Sequence, residues 1–156
     1  MFPITIPTLV TEEVYQRFAW SVFLRGKRFL LNLFILIGIL SLYLIFLPDN
    51  LKRFSFFTVL FISLVTFSAM YFGMNYQIKR AYQKNPLFQN MEVTLIFDRE
   101  AFIARNIRGE FRYTYDDIVK VIMTKQDFYI LIGESTGFPI EKKNCTPEAL
   151  EFLLEL

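Results

Sequence analysis

The sequence predicts an α+β membrane protein: a two-helix transmembrane hairpin joined to a cytoplasmic antiparallel β-domain that a C-terminal helix closes. Three observations predict it. Two uncharged apolar segments, FLLNLFILIGILSLYLIFL over 29–47 and FSFFTVLFISLVTFSAMYFGM over 54–74, are 19 and 21 residues long, matching the ~20 that a helix needs to cross a hydrocarbon core about 30 Å thick. From residue 91 onward the apolar residues change to a period of two, and behind Thr146-Pro147 they return to helical spacing. Composition agrees, because 54% hydrophobic and 18% aromatic residues are too apolar for an ordinary soluble domain of 156 residues.

The N-terminal part, residues 1–28, reads as a strand and an amphipathic helix. ITIPTLV at 4–10 is a candidate strand, and Thr11 is a helix cap followed by two acids in TEEVYQRFAWSVFLRGKR. Val14, Phe18 and Val22 sit four apart and form one apolar stripe. With both ends of the chain on one side of the membrane, the strand at 4–10 is expected to join the C-terminal sheet and cover an edge that would otherwise invite aggregation.

The hairpin occupies 29–74. LPDNLKR at 47–53 breaks the apolar run: proline cannot continue a helix, Asp and Asn favour turns, and so few residues allow only a tight reversal. Both segments are apolar all round, whereas helices of a soluble core would be amphipathic. Arg17, Arg25, Lys27 and Arg28 before the first segment and Lys79, Arg80 and Lys84 after the second outnumber Lys52 and Arg53 in the turn by seven to two. Positive charge stays inside, so both termini should be cytoplasmic and the turn outside. The first 28 residues are too long and too charged for a signal peptide. Neither segment holds an Asp, Glu, Lys or Arg, which disfavours a proton or ion path. Ala69 and Gly73 share one helix face, with Asn32 expected near them across the hairpin; the face suits either hairpin packing or a dimer.

The C-terminal domain, 85–156, begins with MEVTLIFD at 91–98, where Val93, Leu95 and Phe97 alternate with Thr94 and Asp98. Asp98-Arg99-Glu100 is a turn. Further strands are expected at 101–107, 110–115, 119–124, 128–133 and 138–140, with Arg108-Gly109, Asp116-Asp117 and Gln126-Asp127 at the breaks, which makes an antiparallel meander. Thr146 caps a last helix, Pro147 occupies its first position, and Leu150, Leu153 and Leu154 form its apolar face.

Chemistry is scarce. The chain has no histidine and one cysteine, Cys145, so an internal disulfide is impossible and the usual zinc, haem and Ser–His or Cys–His sites lack a ligand or base. No cofactor and no metal is expected; Asp116-Asp117 is a turn pair without a third ligand. Cys145 lies beside Lys142 and Lys143, where cations would lower a thiol pKa, against the plainer reading of a half-buried loop residue. Residues 1–84 carry net charge +6 and residues 85–156 net −4. An acidic domain does not suit nucleic acid. The basic residues at the membrane ends, Arg25, Lys27, Arg28, Lys79, Arg80 and Lys84, attract anionic lipid at about 1 kcal/mol each.

The opening TLVTEEVYQRF, the hairpin, the stretch YTYDDIVKVIMTKQDFYILIG and the close FPIEKKNCTPEALEFLLEL together resemble the YcxB-like family of small bacterial membrane proteins. On that resemblance Tyr115, Asp117, Ile118 and Val121 carry one family motif and Tyr129 lies on the following strand. Lys142 ends an Ile-Pro-Lys-like element in which this chain has Glu141, with Pro139 upstream. The resemblance implies a PH-like fold for the C-terminal domain and a place in the bacterial inner membrane, and it supplies no catalytic residue. The function expected is a membrane-anchored, non-enzymatic interaction or regulatory module whose partners are the bilayer and a protein or second copy. The alternative is an accessory subunit of a transport or envelope-stress assembly.

Overall fold

The computed structural model describes residues 3–46, 48, 52–84 and 89–156. Its elements run β1 (Ile4–Val10), α1 (Glu12–Arg25), α2 (Lys27–Ile45), α3 (Lys52–Lys84), β2 (Met91–Phe97), β3 (Ala101–Asn106), β4 (Gly109–Thr114), β5 (Lys120–Met123), β6 (Asp127–Leu131), β7 (Gly137–Glu141) and α4 (Pro147–Glu155).

The strand at the N-terminus joins the sheet. β1 pairs antiparallel with β2 along its whole length, from Ile4 opposite Phe97 to Val10 opposite Met91. Its alternation is strict: Ile4, Ile6, Thr8 and Val10 point into the core while Thr5, Pro7 and Leu9 face out. The expected single meander is instead two sheets, β1-β2-β3-β4 and β5-β6-β7, both antiparallel. The chain changes sheet at Tyr115–Asp117, a single tight turn in which Asp117 accepts hydrogen bonds from the Thr114 amide (2.7 Å) and hydroxyl (2.9 Å). The core lies between the sheets and under α4, with Ile6, Leu95, Phe97, Phe102, Ile130 and Ile140 wholly buried.

Local chemistry sets the helix starts. The Thr11 hydroxyl accepts from the Val14 amide at 3.2 Å and the Thr146 hydroxyl from Ala149 at 3.3 Å. On α4 the buried residues are Ala149 and Leu153 with Leu150 half-buried, whereas Leu154, expected on the apolar face, is exposed; Phe152 packs on the core instead. Glycine is required at 137. There a Cβ would stand 2.3 Å from the Ile130 carbonyl oxygen of the neighbouring strand β6, where Gly137 pairs with Leu131.

The helical region differs from a simple hairpin. Gly26 separates α1 from α2, and α3 runs ten residues beyond Met74, where the second apolar segment was expected to end. Among the described residues one helix is long and apolar enough to cross a membrane: the stretch Phe57–Lys84 has a window of mean hydropathy 1.8, none of it buried. The described apolar stretch of α2, Leu33–Tyr43, is shorter. Much of the turn expected at 48–53 lies outside the described residues.

Candidate functional site

Residues 71–82 of α3 explain why the helix does not stop at the end of its apolar run. Tyr71, Asn75, Ile78 and Tyr82 recur at spacings of four, three and four, which places them on one stripe. That stripe packs on α1 and β1. Tyr71 stacks on Trp20 with ring centroids 5.6 Å apart, and Asn75 Oδ1 accepts from Gln16 Nε2 (2.6 Å) and Trp20 Nε1 (2.9 Å). Ile78 is buried, and the Tyr82 hydroxyl donates to the Val10 carbonyl (3.1 Å) and accepts from the Asn90 amide (2.9 Å). The apolar stretch of α3 therefore runs without a break into the stripe that docks on α1 and β1.

A second junction ties α1 to the other sheet. Asp127, expected in a turn, is the first residue of β6 and is 1% exposed. Arg17 of α1 reaches it with a two-pronged contact, Nε to Oδ2 at 2.8 Å and Nη2 to Oδ1 at 3.1 Å. The same guanidinium donates to Glu141 of β7 (2.9 Å) and to Glu13 (2.8 Å). Tyr129 donates its hydroxyl to Asp127 Oδ2 at 2.9 Å, and the Asp127 amide donates to the Thr124 hydroxyl at 2.9 Å. Hydrogen bonds to the two carboxylates hold the Arg17 pKa above its ordinary value despite partial burial. Burial raises the Tyr129 pKa from 10.0 to about 12, with the Asp127 contact adding to it. Among the described residues no buried side-chain polar atom lacks a partner, and this network fastens α1 to β6 and β7.

The residues singled out from the sequence fall into structural places. Tyr115 packs near Phe102 and Phe152 and donates its hydroxyl to the Asp98 carbonyl; burial, with the Asp98 carboxylate second, raises its pKa. Ile118 and Val121 pack against the core, and Asp117 closes the turn between the sheets. The Tyr129 ring meets Phe18 edge-on at 5.4 Å. Lys142 donates to the Thr124 carbonyl at 2.7 Å and lies over the Phe128 ring at 4.8 Å. Cys145 is half-buried with its Sγ 3.6 Å from the Glu141 carbonyl, and burial raises its pKa against the opposing pull of Lys142. Among the described residues no three His, Cys, Asp or Glu side chains converge as a metal site would require.

Of the basic residues expected at the membrane ends, Arg25 donates to the Met123 carbonyl at 3.2 Å, Lys79 pairs with Glu12 at 3.6 Å, and Arg80 and Lys84 are exposed. The side chains of Lys27, Arg28 and Asn32 lie outside the described residues. Ala69 and Gly73 are exposed on the side of α3 away from the docking stripe, and a Cβ on Gly73 would meet nothing within 4 Å. Hairpin packing onto these two is not seen among the described residues.

The feature that sequence reasoning missed is a cavity of about 410 Å³ where the two sheets part. Thr8, Val10 and Val93 form its buried floor; Tyr15, Tyr82, Tyr113 and Phe138 line its walls; Asn106 and Arg108 of the β3–β4 turn and Ser135 and Thr136 of the β6–β7 turn stand at its rim. Its size and apolar lining are those of a small-molecule pocket. It joins residues up to 131 positions apart, as the Thr8 hydroxyl bond to the Pro139 carbonyl (2.8 Å) illustrates, so no local pattern announces it.

No curated protein and no solved structure matches the chain. A protein-family model described as YcxB-like protein matches residues 97–156, from the last residue of β2 through α4. Over the strands β3–β7 and the closing helix, residues 97–156 are thus a YcxB-like segment, of the family that the motifs around Tyr115 and Tyr129 resemble.

Proposed function

We propose that the chain is a membrane-anchored, non-enzymatic interaction or regulatory module. In this reading α2 and α3 form a transmembrane hairpin, both termini are cytoplasmic, and β1–β7 with α4 form a PH-like domain that engages a protein partner or a second copy. One observation carries it: α3 passes without a break from an apolar stretch with no buried residue into the stripe Tyr71–Tyr82 docked on α1 and β1. A helix exposed over its most apolar length suits lipid, and its docked end suits a domain held at a fixed attitude to the bilayer. The seven-to-two excess of basic residues flanking the apolar segments supports the orientation. A non-enzymatic role is supported by the absence of histidine and by the use of Arg17, Asp127 and Tyr129 in fastening elements together. Reporter fusions at residue 50 and at each terminus test the topology; an exported reporter active at either terminus refutes it.

A second reading, an accessory subunit of a transport or envelope-stress assembly, is favoured by the open face at Ala69 and Gly73, where another helix can approach closely. Replacing the hairpin with an unrelated anchor separates the two. A tethered module keeps its crosslinked partners, whereas a membrane subunit loses them.

A further inference from the structure

The cavity between the sheets assigns a ligand class as well as a place. The two buried hydroxyls that line it are used within the protein: Thr8 donates to the Pro139 carbonyl, and Tyr82 is bonded to Val10 and Asn90. An occupant of the depth between Val10, Val93 and Phe138 gains chiefly from apolar surface. The rim is different. Arg108 makes no ion pair among the described residues, and it lines the cavity together with the hydroxyl residues Ser135 and Thr136. Apolar depth below a cationic edge matches a molecule with one hydrocarbon chain and an anionic head.

We propose that this cavity binds a single-chain anionic amphiphile, its chain between the sheets and its head on Arg108. The inference rests on the membrane-anchored reading for the ligand's source only. Ala81 lines the cavity seven residues past Met74, about 10 Å along α3 at its rise per residue. An amphiphile leaving the cytoplasmic face of the bilayer therefore has a short path to it.

The test uses the full chain in zwitterionic-lipid nanodiscs, with equilibrium dialysis of labelled laurate and of labelled lauroyl lysophosphatidic acid against empty discs. Saturable binding of either anion is expected, and the tighter of the two identifies the head group. Arg108→Ala should weaken that binding about tenfold or more, the scale of a lost hydrogen bond to a charged group, and leave dodecanol unaffected. Ala81→Trp, at an exposed position on the rim, should abolish binding while the circular-dichroism melt is unchanged; Thr136→Trp on the opposite rim is the second plug should the first unfold. The proposal is overturned by no saturable binding of either anion, by equal binding of dodecyltrimethylammonium, or by binding that survives both plugs. A chain that binds laurate yet fractionates as soluble would overturn the anchoring and leave the site standing.

Discussion

Removing the Asp127 carboxylate isolates what the α1 junction contributes. In Asp127→Ala the Arg17 guanidinium loses two hydrogen bonds, at 2.8 and 3.1 Å, and the Tyr129 hydroxyl loses its acceptor at 2.9 Å. Deleting one partner of a buried ion pair costs about 3–5 kcal/mol, since the other charge stays behind unpaired. Here the Arg17 side chain is 25% exposed and keeps Glu141 at 2.9 Å, which moves the expectation to the lower end, roughly 2–3 kcal/mol. For a domain near 100 residues that corresponds to a fall in Tm on the order of 10 °C or more. The assay is thermal unfolding of the full chain in nanodiscs, followed by circular dichroism in the β region, for wild type, Asp127→Ala, Arg17→Met and the double variant. Arg17→Met and Asp127→Ala should be strongly non-additive, the double variant being little worse than either single one. A loss below about 0.5 kcal/mol, or strict additivity, would show that the contact holds nothing together, and the account of α1 as fastened through its charge would be wrong.

Gly137→Ala should destabilise by about 1–3 kcal/mol, because the added methyl meets the Ile130 carbonyl and β7 must shift; hydrogen exchange at the β6–β7 pairing reads the loss directly. Tyr129 holds its proton more tightly folded than unfolded, so its contribution is complete below pH 10 and is lost as pH rises toward about 12. Tyr129→Phe should therefore unfold with a shallower alkaline dependence over that interval than wild type; identical slopes would refute this. A fragment of residues 85–156 lacks β1 and leaves the β2 edge bare, so its β2 amides should exchange much faster than those of a chain in which residues 1–28 are linked to 75–156. Cys145, with its thiol pKa raised by burial, should react with a neutral-pH thiol reagent more slowly than free cysteine, and faster labelling would contradict its placement.

What the sequence made legible follows from the range of the forces involved. Strand alternation and helix caps are local, which is why Met91–Phe97, the Thr11 cap and the Thr146-Pro147 start stand where residue spacing places them. β1 was inferable because a bare edge beside a membrane is costly, an argument that needs topology but no contacts. The stripe Tyr71-Asn75-Ile78-Tyr82 was present as a spacing, yet hydropathy ends the span at Met74 and hides a helix that continues into polar residues such as Lys79 and Arg80. Asp127 beside Gln126 has the composition of a turn; only the arrival of Arg17, 110 positions away, makes a buried carboxylate affordable there. The cavity depends on how far the two sheets diverge, which no residue pattern reports.

Pairing the N-terminal strand with β2 also sets an order of assembly. Eighty residues separate Val10 from its partner Met91, and they include both apolar helices. At ribosomal speeds of about 5–20 residues per second, β1 waits roughly 4–16 s with Ile4, Ile6 and Val10 uncovered before β2 exists to receive them. During that wait both apolar helices are made. The sheet can therefore close only after them, and a chain that stalls between the two strands exposes an unpaired apolar strand to proteases and chaperones. Completion of the helices and closure of the sheet become one checkpoint, with β1 as its reporter.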